Sequence, residues 1–313
     1  MAKLTNAVRP ADPRNYYTYL NPDAYHPDWK GFYESALSRR ELVRARFEHD
    51  VDLKYGEDPY QLANVYHPRD GADRPVILFF HGGRWREGHP AFYDQFADPW
   101  VRAGAVFVSC GYRLEPDHSI ADAVDDAATA IDWVIANAAK YGGDPARVIV
   151  AGHSAGGHLA AMVTMTDWRT TTRGDTTTGG DTTAGRGGPA GARRAGAVAG
   201  VICMSAPVDL RSRLSDAAMA EELSPVLRIT RVPRRVVVSY GDPEPNKKSE
   251  GDSFLTSQGR MLVKALREAG GSPTIVVLGH ADHIATAAAF ADTGSPLYAA
   301  AHAMVFEKGG QSA

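Results

Sequence analysis

The sequence predicts an α/β protein, a doubly wound and mostly parallel sheet of about eight strands with an N-terminal helical cap segment. Three observations carry this. Near-continuous apolar runs such as Val76–Phe80 and Ala105–Ser109 read as strands buried on both faces. Between them lie amphipathic segments with helical spacing, closed by glycines. Finally, 313 residues with 44% apolar content suffice for a large single core.

The first 50 residues are rich in aromatic and charged residues, and they form the predicted cap. Within them, Asp28 to about Phe47 predicts an amphipathic helix, with Trp29, Phe32, Tyr33, Leu37 and Leu42 on its apolar face. Residues 51–313 carry the predicted main domain. Val51–Tyr55 and Gln61–Tyr66 read as an antiparallel pair joined by Gly56-Glu57-Asp58-Pro59. Ser119 to about Tyr141 sets Ile120, Val124, Ala127, Ile131 and Ile135 among acids, a helix stopped by Gly142-Gly143. Arg147–Ala151 predicts a strand and Gly157–Met165 the helix after it. Val198–Met204, Val236–Tyr240 and Thr274–Leu278 are further strands, with helices over Ser257–Glu268 and Pro296–Phe306. Thr170 through Ala192 breaks this rhythm. The tract is Thr/Gly-rich and too polar to offset its own ordering, so a flexible insertion is expected at about 170–192.

A net charge of −3 gives no reason to expect nucleic acid or an anionic membrane as partner. The two cysteines, Cys110 and Cys203, sit in apolar strand-like runs and read as buried thiols in a reducing compartment. The opening residues lack a signal-peptide apolar stretch, and no run reaches the roughly 18 residues that span a bilayer, so a cytoplasmic protein is expected.

The chemistry concentrates at Val148-Ile149-Val150-Ala151-Gly152-His153-Ser154-Ala155-Gly156-Gly157. An apolar strand passes through Gly-His-Ser-Ala-Gly into an Ala-rich helix, the pattern of a nucleophile elbow. Gly152 and Gly156 remove the Cβ atoms that would collide across so sharp a turn. The N–H of Ala155 then lies at a helix start, where it favours developing negative charge. Strand Val76–Phe80 ends in His81-Gly82-Gly83-Arg84-Trp85, a loop whose amides could converge on one oxygen. The N–H groups of Gly83, Arg84 and Ala155 are therefore the expected oxyanion hole. Gly82, Trp85 and His153 are the expected pocket residues, and Arg84 or Arg86 would favour an anionic substrate group.

A serine nucleophile needs a base and an orienting acid. Past Thr274–Leu278 stand His280 and His283, of which His283 is preferred because it sits at the end of Asp-His before a helix. His153 and His158 flank the serine and are poorly placed as bases. Three carboxylates follow Val236–Tyr240: Glu244, Asp252 and Asp242. Glu244, three residues past Gly241, is favoured over the other two. The order serine, acid, histidine is that of α/β-hydrolases.

His81-Gly82-Gly83, Gly111-Tyr112-Arg113-Leu114, Gly143-Asp144-Pro145-Ala146-Arg147-Val148 and Gly152-His153-Ser154-Ala155-Gly156-Gly157-His158 together resemble the hormone-sensitive-lipase-like branch of the α/β-hydrolases. His-Gly-Gly-x-Trp, the Asp252–Gln258 segment and Asp282-His283 resemble the arylformamidase (kynurenine formamidase) group within it. The resemblance covers about residues 50–310. Two departures stand out: Arg84 replaces the third glycine of His-Gly-Gly-Gly, and the acid region is longer by about eight residues than the family pattern. The resemblance implies a serine hydrolase of small short-acyl or aryl esters, using Ser154, Glu244 and His283, with no metal or organic cofactor. Arylformamidase-type amide hydrolysis is the first alternative, and a non-catalytic ligand-binding homologue the second. The implied partner is a small-molecule ester or amide; a homodimer is compatible with the sequence.

Overall fold

The computed structural model describes residues 28–168, 197–244 and 253–307. The Thr/Gly-rich tract, Asp252 and the first 27 residues lie outside the described residues.

Eight strands form one sheet in the order β1-β2-β4-β3-β5-β6-β7-β8. They are β1 (Glu48–Lys54), β2 (Leu62–His67), β3 (Arg74–Phe80), β4 (Val106–Cys110), β5 (Gly143–His153), β6 (Val198–Met204), β7 (Val236–Asp242) and β8 (Thr274–Gly279). β2 runs antiparallel to both β1 and β4, and the remaining neighbours pair in parallel. The helices are α1 (Asp28–Arg46), α2 (Ala97–Arg102), α3 (Ile120–Asn137), α4 (Ala155–Met165), α5 (Ala217–Glu222), α6 (Phe254–Glu268), α7 (His283–Ala288) and α8 (Pro296–Phe306).

Strand alternation distributes the core to two layers. On β3, Val76, Leu78 and Phe80 face one layer with residues of α3, α4 and α6, including Ile131, Leu159 and Leu262. Ile77 and Phe79 face the other layer, with Trp100, Phe290, Leu297 and Met304. Both faces are therefore dry, which is why β3 and β4 carry such unbroken apolar runs. The helix α3 begins where Ser119 predicts it, because Ser119 and Asp122 cap each other's backbone in a capping box.

α1 packs on the second layer through Tyr33, Ala36 and Val43. Leu42, expected on the same face, is 67% exposed instead. The helix is anchored by charge as well: Arg40 Nε donates to the buried Asp94 Oδ2 at 3.0 Å. Asp94 also accepts from Asn64 Nδ2 and from Tyr66 Oη at 2.8 Å. Burial pushes its carboxyl up to about 6. The short helices α2 and α5 were not foreseen, since six residues display too little periodicity, whereas α7 starts at His283, where Asp-His was expected to precede a helix.

What matters for function is the carboxyl edge of the parallel strands, where open α/β sheets build their sites. Phe80 pairs with Gly152, Gly152 with Cys203, and Cys203 with Val238. The loops after β3, β5, β6, β7 and β8 therefore emerge side by side. Among the described residues, no helix is long and apolar enough to cross a membrane.

Candidate active site

β5 ends at His153 and α4 begins at Ala155, leaving Ser154 alone in the turn with φ 54° and ψ −120°. That is a costly conformation for a residue with a Cβ, and the surroundings impose it. Ser154 N donates to Met204 O at 2.8 Å, and His158 N donates to Ser154 O at 3.0 Å. Any Cβ on Gly152 would overlap the carbonyl of Gly156, and one on Gly156 would overlap the carbonyls of Phe80 and His81. The turn thus closes only with glycine at both positions. Ala155 is the first residue of α4, so its N–H has no intrahelical acceptor.

The loop after β3 lies against this turn. A Cβ on Gly82 would stand 2.9 Å from His153 Nδ1 and 3.2 Å from Ser154 Cβ. Gly83 and Arg84 follow directly, with Arg84 exposed and Trp85 only 2% exposed. The Trp85 ring meets His158 edge-on at 5.0 Å. His158 is buried with Nε2 2.7 Å from Leu223 O, and His81 is buried with its ring stacked 4.4 Å from Tyr112. Burial lowers both imidazoles to about 4.

The candidate acid and base come from the far strands. Glu244, 1% exposed, follows β7, and His283 is the first residue of α7. His283 Nδ1 lies 2.5 Å from Glu244 Oε1. A carboxylate only accepts, so Nδ1 carries the proton and Nε2 the basic lone pair. Glu244 Oε2 accepts from Ser205 Oγ at 2.8 Å and from Gly241 N at 3.2 Å. Thr256 Oγ1 accepts from Glu244 N at 3.1 Å and donates to Gly241 O at 2.7 Å, bracing the turn that presents the carboxylate. Asp242, the other described candidate, is occupied elsewhere, its Oδ2 accepting from Arg260 Nη2 at 3.0 Å. His280 is exposed, and Asp282 serves as N-cap of α7 by accepting from Ala285 N at 2.7 Å.

His153 joins the two halves. Its ring lies 4.3 Å from that of His283, which sets the imidazole beside the residue preceding Ser154. Thr286 Oγ1 donates to His283 O at 2.9 Å and stands 3.2 Å from His153 Nε2. Burial, and then the neighbouring His283, hold His153 well below the usual imidazole range, so it stays neutral. The structure therefore brings together Gly82, His153, Ser154, Glu244 and His283. Ser205 and Thr286 were missed by sequence reasoning. The one available signal was that Ser205 follows strand Val198–Met204 at the same sheet edge as the elbow. Among the described residues, no group of three or more His, Cys, Asp or Glu side chains could hold a metal ion.

The chain is 35% identical over 150 residues to esterase LipC of Mycobacterium tuberculosis, covering 47% of this chain and 37% of that one. It is 44% identical over 101 residues to carboxylesterase NlhH of the same organism, covering 32% of each. A third relative is the kynurenine formamidase of Danio rerio, 35% identical over 136 residues, covering 43% of this chain and 45% of that one. The matched segments thus span only about a third to a half of these relatives' length. Among solved structures, esterase 2 of Thermogutta terrifontis phosphorylated by paraoxon superposes with a TM-score of 0.57 at 25% identity, covering 82% of this chain and 90% of that one. A truncated carbohydrate esterase from gut microbiota superposes with a TM-score of 0.62 at 20% identity, over 82% and 94% of the two chains. The family model for the alpha/beta hydrolase fold matches residues 77–239, just over half of the chain. With that match taking in both the loop after β3 and the elbow, the chain belongs to the alpha/beta hydrolase fold family.

Proposed function

We propose that the protein is a serine hydrolase of small carboxylic esters, with Ser154 as nucleophile, His283 as base and Glu244 as the orienting acid. The observation that carries the reading is the 2.5 Å contact between Glu244 Oε1 and His283 Nδ1, made at the sheet edge that bears the strained Ser154. His283 Nε2 takes the proton of Ser154 Oγ as that oxygen bonds to the ester carbonyl carbon. The N–H groups of Gly83, Arg84 and Ala155 hold the resulting oxyanion. As the tetrahedral intermediate collapses, the C–O bond to the alcohol breaks and His283 returns its proton to the departing oxygen. Water, deprotonated by the same imidazole, then attacks the acyl-serine carbonyl; as the C–Oγ bond breaks, His283 returns that proton to Ser154 Oγ and the carboxylic acid is freed. Trp85 and Gly82 border the space in which the acyl group sits. The esterase and carboxylesterase relatives support the ester assignment. The free, buried Cys110 and Cys203 fit a reducing, cytoplasmic setting.

The test is covalent trapping together with turnover. The native chain should take up one phosphoryl group from paraoxon on Ser154 and cleave p-nitrophenyl acetate. Ser154→Ala should lose both, with turnover falling by about 10⁴-fold or more. Labelling elsewhere, or full turnover in Ser154→Ala, rejects the assignment. Absence of any adduct on a folded chain favours a ligand-binding homologue.

The similarity to kynurenine formamidase favours a second reading, hydrolysis of an aryl formamide at the same site. A panel of p-nitrophenyl esters of increasing chain length, aryl esters and N-formylkynurenine separates the two. High turnover on the formamide with little on the esters reverses the order.

A further inference from the structure

The loop after β3 places two consecutive non-glycine residues in the left-handed region, Arg84 at φ 57° and Trp85 at φ 59°. A Cβ there crowds the neighbouring carbonyl, so such a pair persists only where surrounding groups impose it. Arg213 and Glu115, from two other loops, do so here. Arg213 Nη2 donates to Arg84 O at 3.3 Å and to Glu115 Oε2 at 2.8 Å. The same guanidinium lies over the Trp85 ring, 5.1 Å from its centroid. Glu115 N donates to Trp85 O at 2.7 Å, while Glu115 Oε2 also accepts from Arg86 Nε at 3.1 Å. The carbonyls of both left-handed residues are therefore tied from outside the loop.

The consequence for the site follows from peptide geometry. Gly83 O accepts from Arg86 N at 2.9 Å and from Glu87 N at 3.0 Å. In a trans peptide the N–H points opposite to the C=O, so anchoring Gly83 O fixes the direction of the Arg84 N–H. If Arg84 and Trp85 relaxed to ordinary dihedrals, Arg86 and Glu87 would swing away from Gly83 O and that N–H would turn. Behind the loop, the edge-on contact of Trp85 with His158 ties it to α4, the helix that follows Ser154.

We propose that Arg213 is a positioning residue, whose guanidinium, braced by Glu115, holds Arg84 and Trp85 left-handed and so aims the Arg84 amide at the oxyanion. This rests on the hydrolase reading of Ser154. Arg213 acts through the loop and need not touch substrate. It also needs arginine, because Nη2 must reach two acceptors while the guanidinium carbon stays over an indole.

The experiment measures kcat and KM for p-nitrophenyl acetate and amide hydrogen exchange over residues 82–88. The chains compared are the wild type, Arg213→Gln, Arg213→Lys, Glu115→Gln and the neighbouring Arg211→Gln. Arg213→Gln should lower kcat by about 10- to 100-fold with KM changed less than about 3-fold, since a misaimed donor acts on the transition state. Exchange in 82–88 should quicken while that of α3 does not change. Arg213→Lys should recover only part of the rate, Glu115→Gln should fall in the same direction by less, and Arg211→Gln should match the wild type. Wild-type kcat in Arg213→Gln overturns the proposal. A rise in KM alone, or exchange quickened across the whole sheet, overturns it as well. If Arg213→Gln does not fold, Glu115→Gln decides by the same readouts. If the wild type neither cleaves ester nor reacts with paraoxon, the hydrolase reading fails separately; unchanged loop exchange in the variants then also removes the clamp.

Discussion

At the elbow, Ser154 is held by backbone pressed against backbone, whereas the Glu244–His283 pair is held by hydrogen bonds reaching in from several other elements. Gly152 and Gly156 leave no room for a methyl group, because carbonyls of the elbow and of β3 occupy that space. Glu244 instead depends on Ser205 after β6, on the Gly241 N–H in β7 and on Thr256 in α6. Steric constraint is all or none, while a hydrogen-bonded network can lose one member and still function. The two halves should therefore respond differently to mutation, and the contrast can be tested in order of expected effect.

The largest effect belongs to the elbow. Gly156→Ala places a Cβ into the Phe80 and His81 carbonyls at the end of β3, backbone atoms with nothing flexible to yield. We expect loss of the folded protein, or destabilisation by more than about 4 kcal/mol, read as insolubility or a collapsed urea midpoint. A soluble, active Gly156→Ala chain would remove the steric side of the contrast.

The next effect belongs to the acid. Glu244→Gln keeps the shape but offers the imidazole an amide in place of a carboxylate, which neither fixes the tautomer nor stabilises the imidazolium. The chain should fold with an unchanged melting temperature, and kcat should fall by about 10²- to 10⁴-fold. An equal loss in Asp242→Asn with Glu244→Gln unaffected would move the acid to the neighbouring carboxylate.

These two variants also mark what was legible in the sequence. The elbow could be read because its requirements lie within five residues, and a strand and a helix flank them unmistakably. The strand Val198–Met204 and the helix Pro296–Phe306 have the bounds that their apolar pattern predicts. The acid was harder. Asp242 ends β7 and Glu244 and Asp252 follow it, and reach toward His283 depends on a turn braced by Thr256, which lies 12 residues beyond Glu244 along the chain. Arg213 and Glu115 were invisible for the same reason. They are separated by 98 residues, and each alone reads as an ordinary surface charge.

A third effect concerns protons. Burial holds the imidazoles of His81 and His158 at about 4, that of His89 at about 3, and that of His153 well below its ordinary 6.5. Each folded pKa is depressed, so the unfolded chain binds protons first as pH falls. Their stabilising contribution is complete above 6.5 and is lost progressively from there toward about 4. For His81 and His158 that amounts to about 3 kcal/mol each. Asp94 runs the other way. Its folded pKa is raised from 3.8 to about 6, so its contribution is complete below 3.8 and lost as pH rises through 6, which offsets one histidine. The urea midpoint should therefore drop clearly between about pH 7.5 and pH 5. A flat midpoint would mean that these imidazoles are hydrated in solution.

The smallest effect tests whether the hydrogen-bonded half really degrades by steps. Ser205→Ala removes one of the donors to Glu244 Oε2 and leaves Gly241 N and the contact with His283 in place. A hydrogen bond to a charged group contributes about 1.5–3 kcal/mol, but part of this is recovered when the carboxylate settles on its remaining donors. We expect kcat to fall by about 10-fold, with KM within about 2-fold, since Glu244 acts on the charged imidazole formed in the transition state. The decisive comparison is the double variant. If Ser205 works only through Glu244, then Ser205→Ala added to Glu244→Gln should cost almost nothing further, because the group it steadies has already lost its charge. If the two losses multiply, Ser205 acts through Thr286, 3.0 Å away, and hence on the backbone carbonyl of His283 to which Thr286 is bonded. The network would then have two separate routes to the imidazole, and the His283 side of the site would be overdetermined in the same way as the elbow.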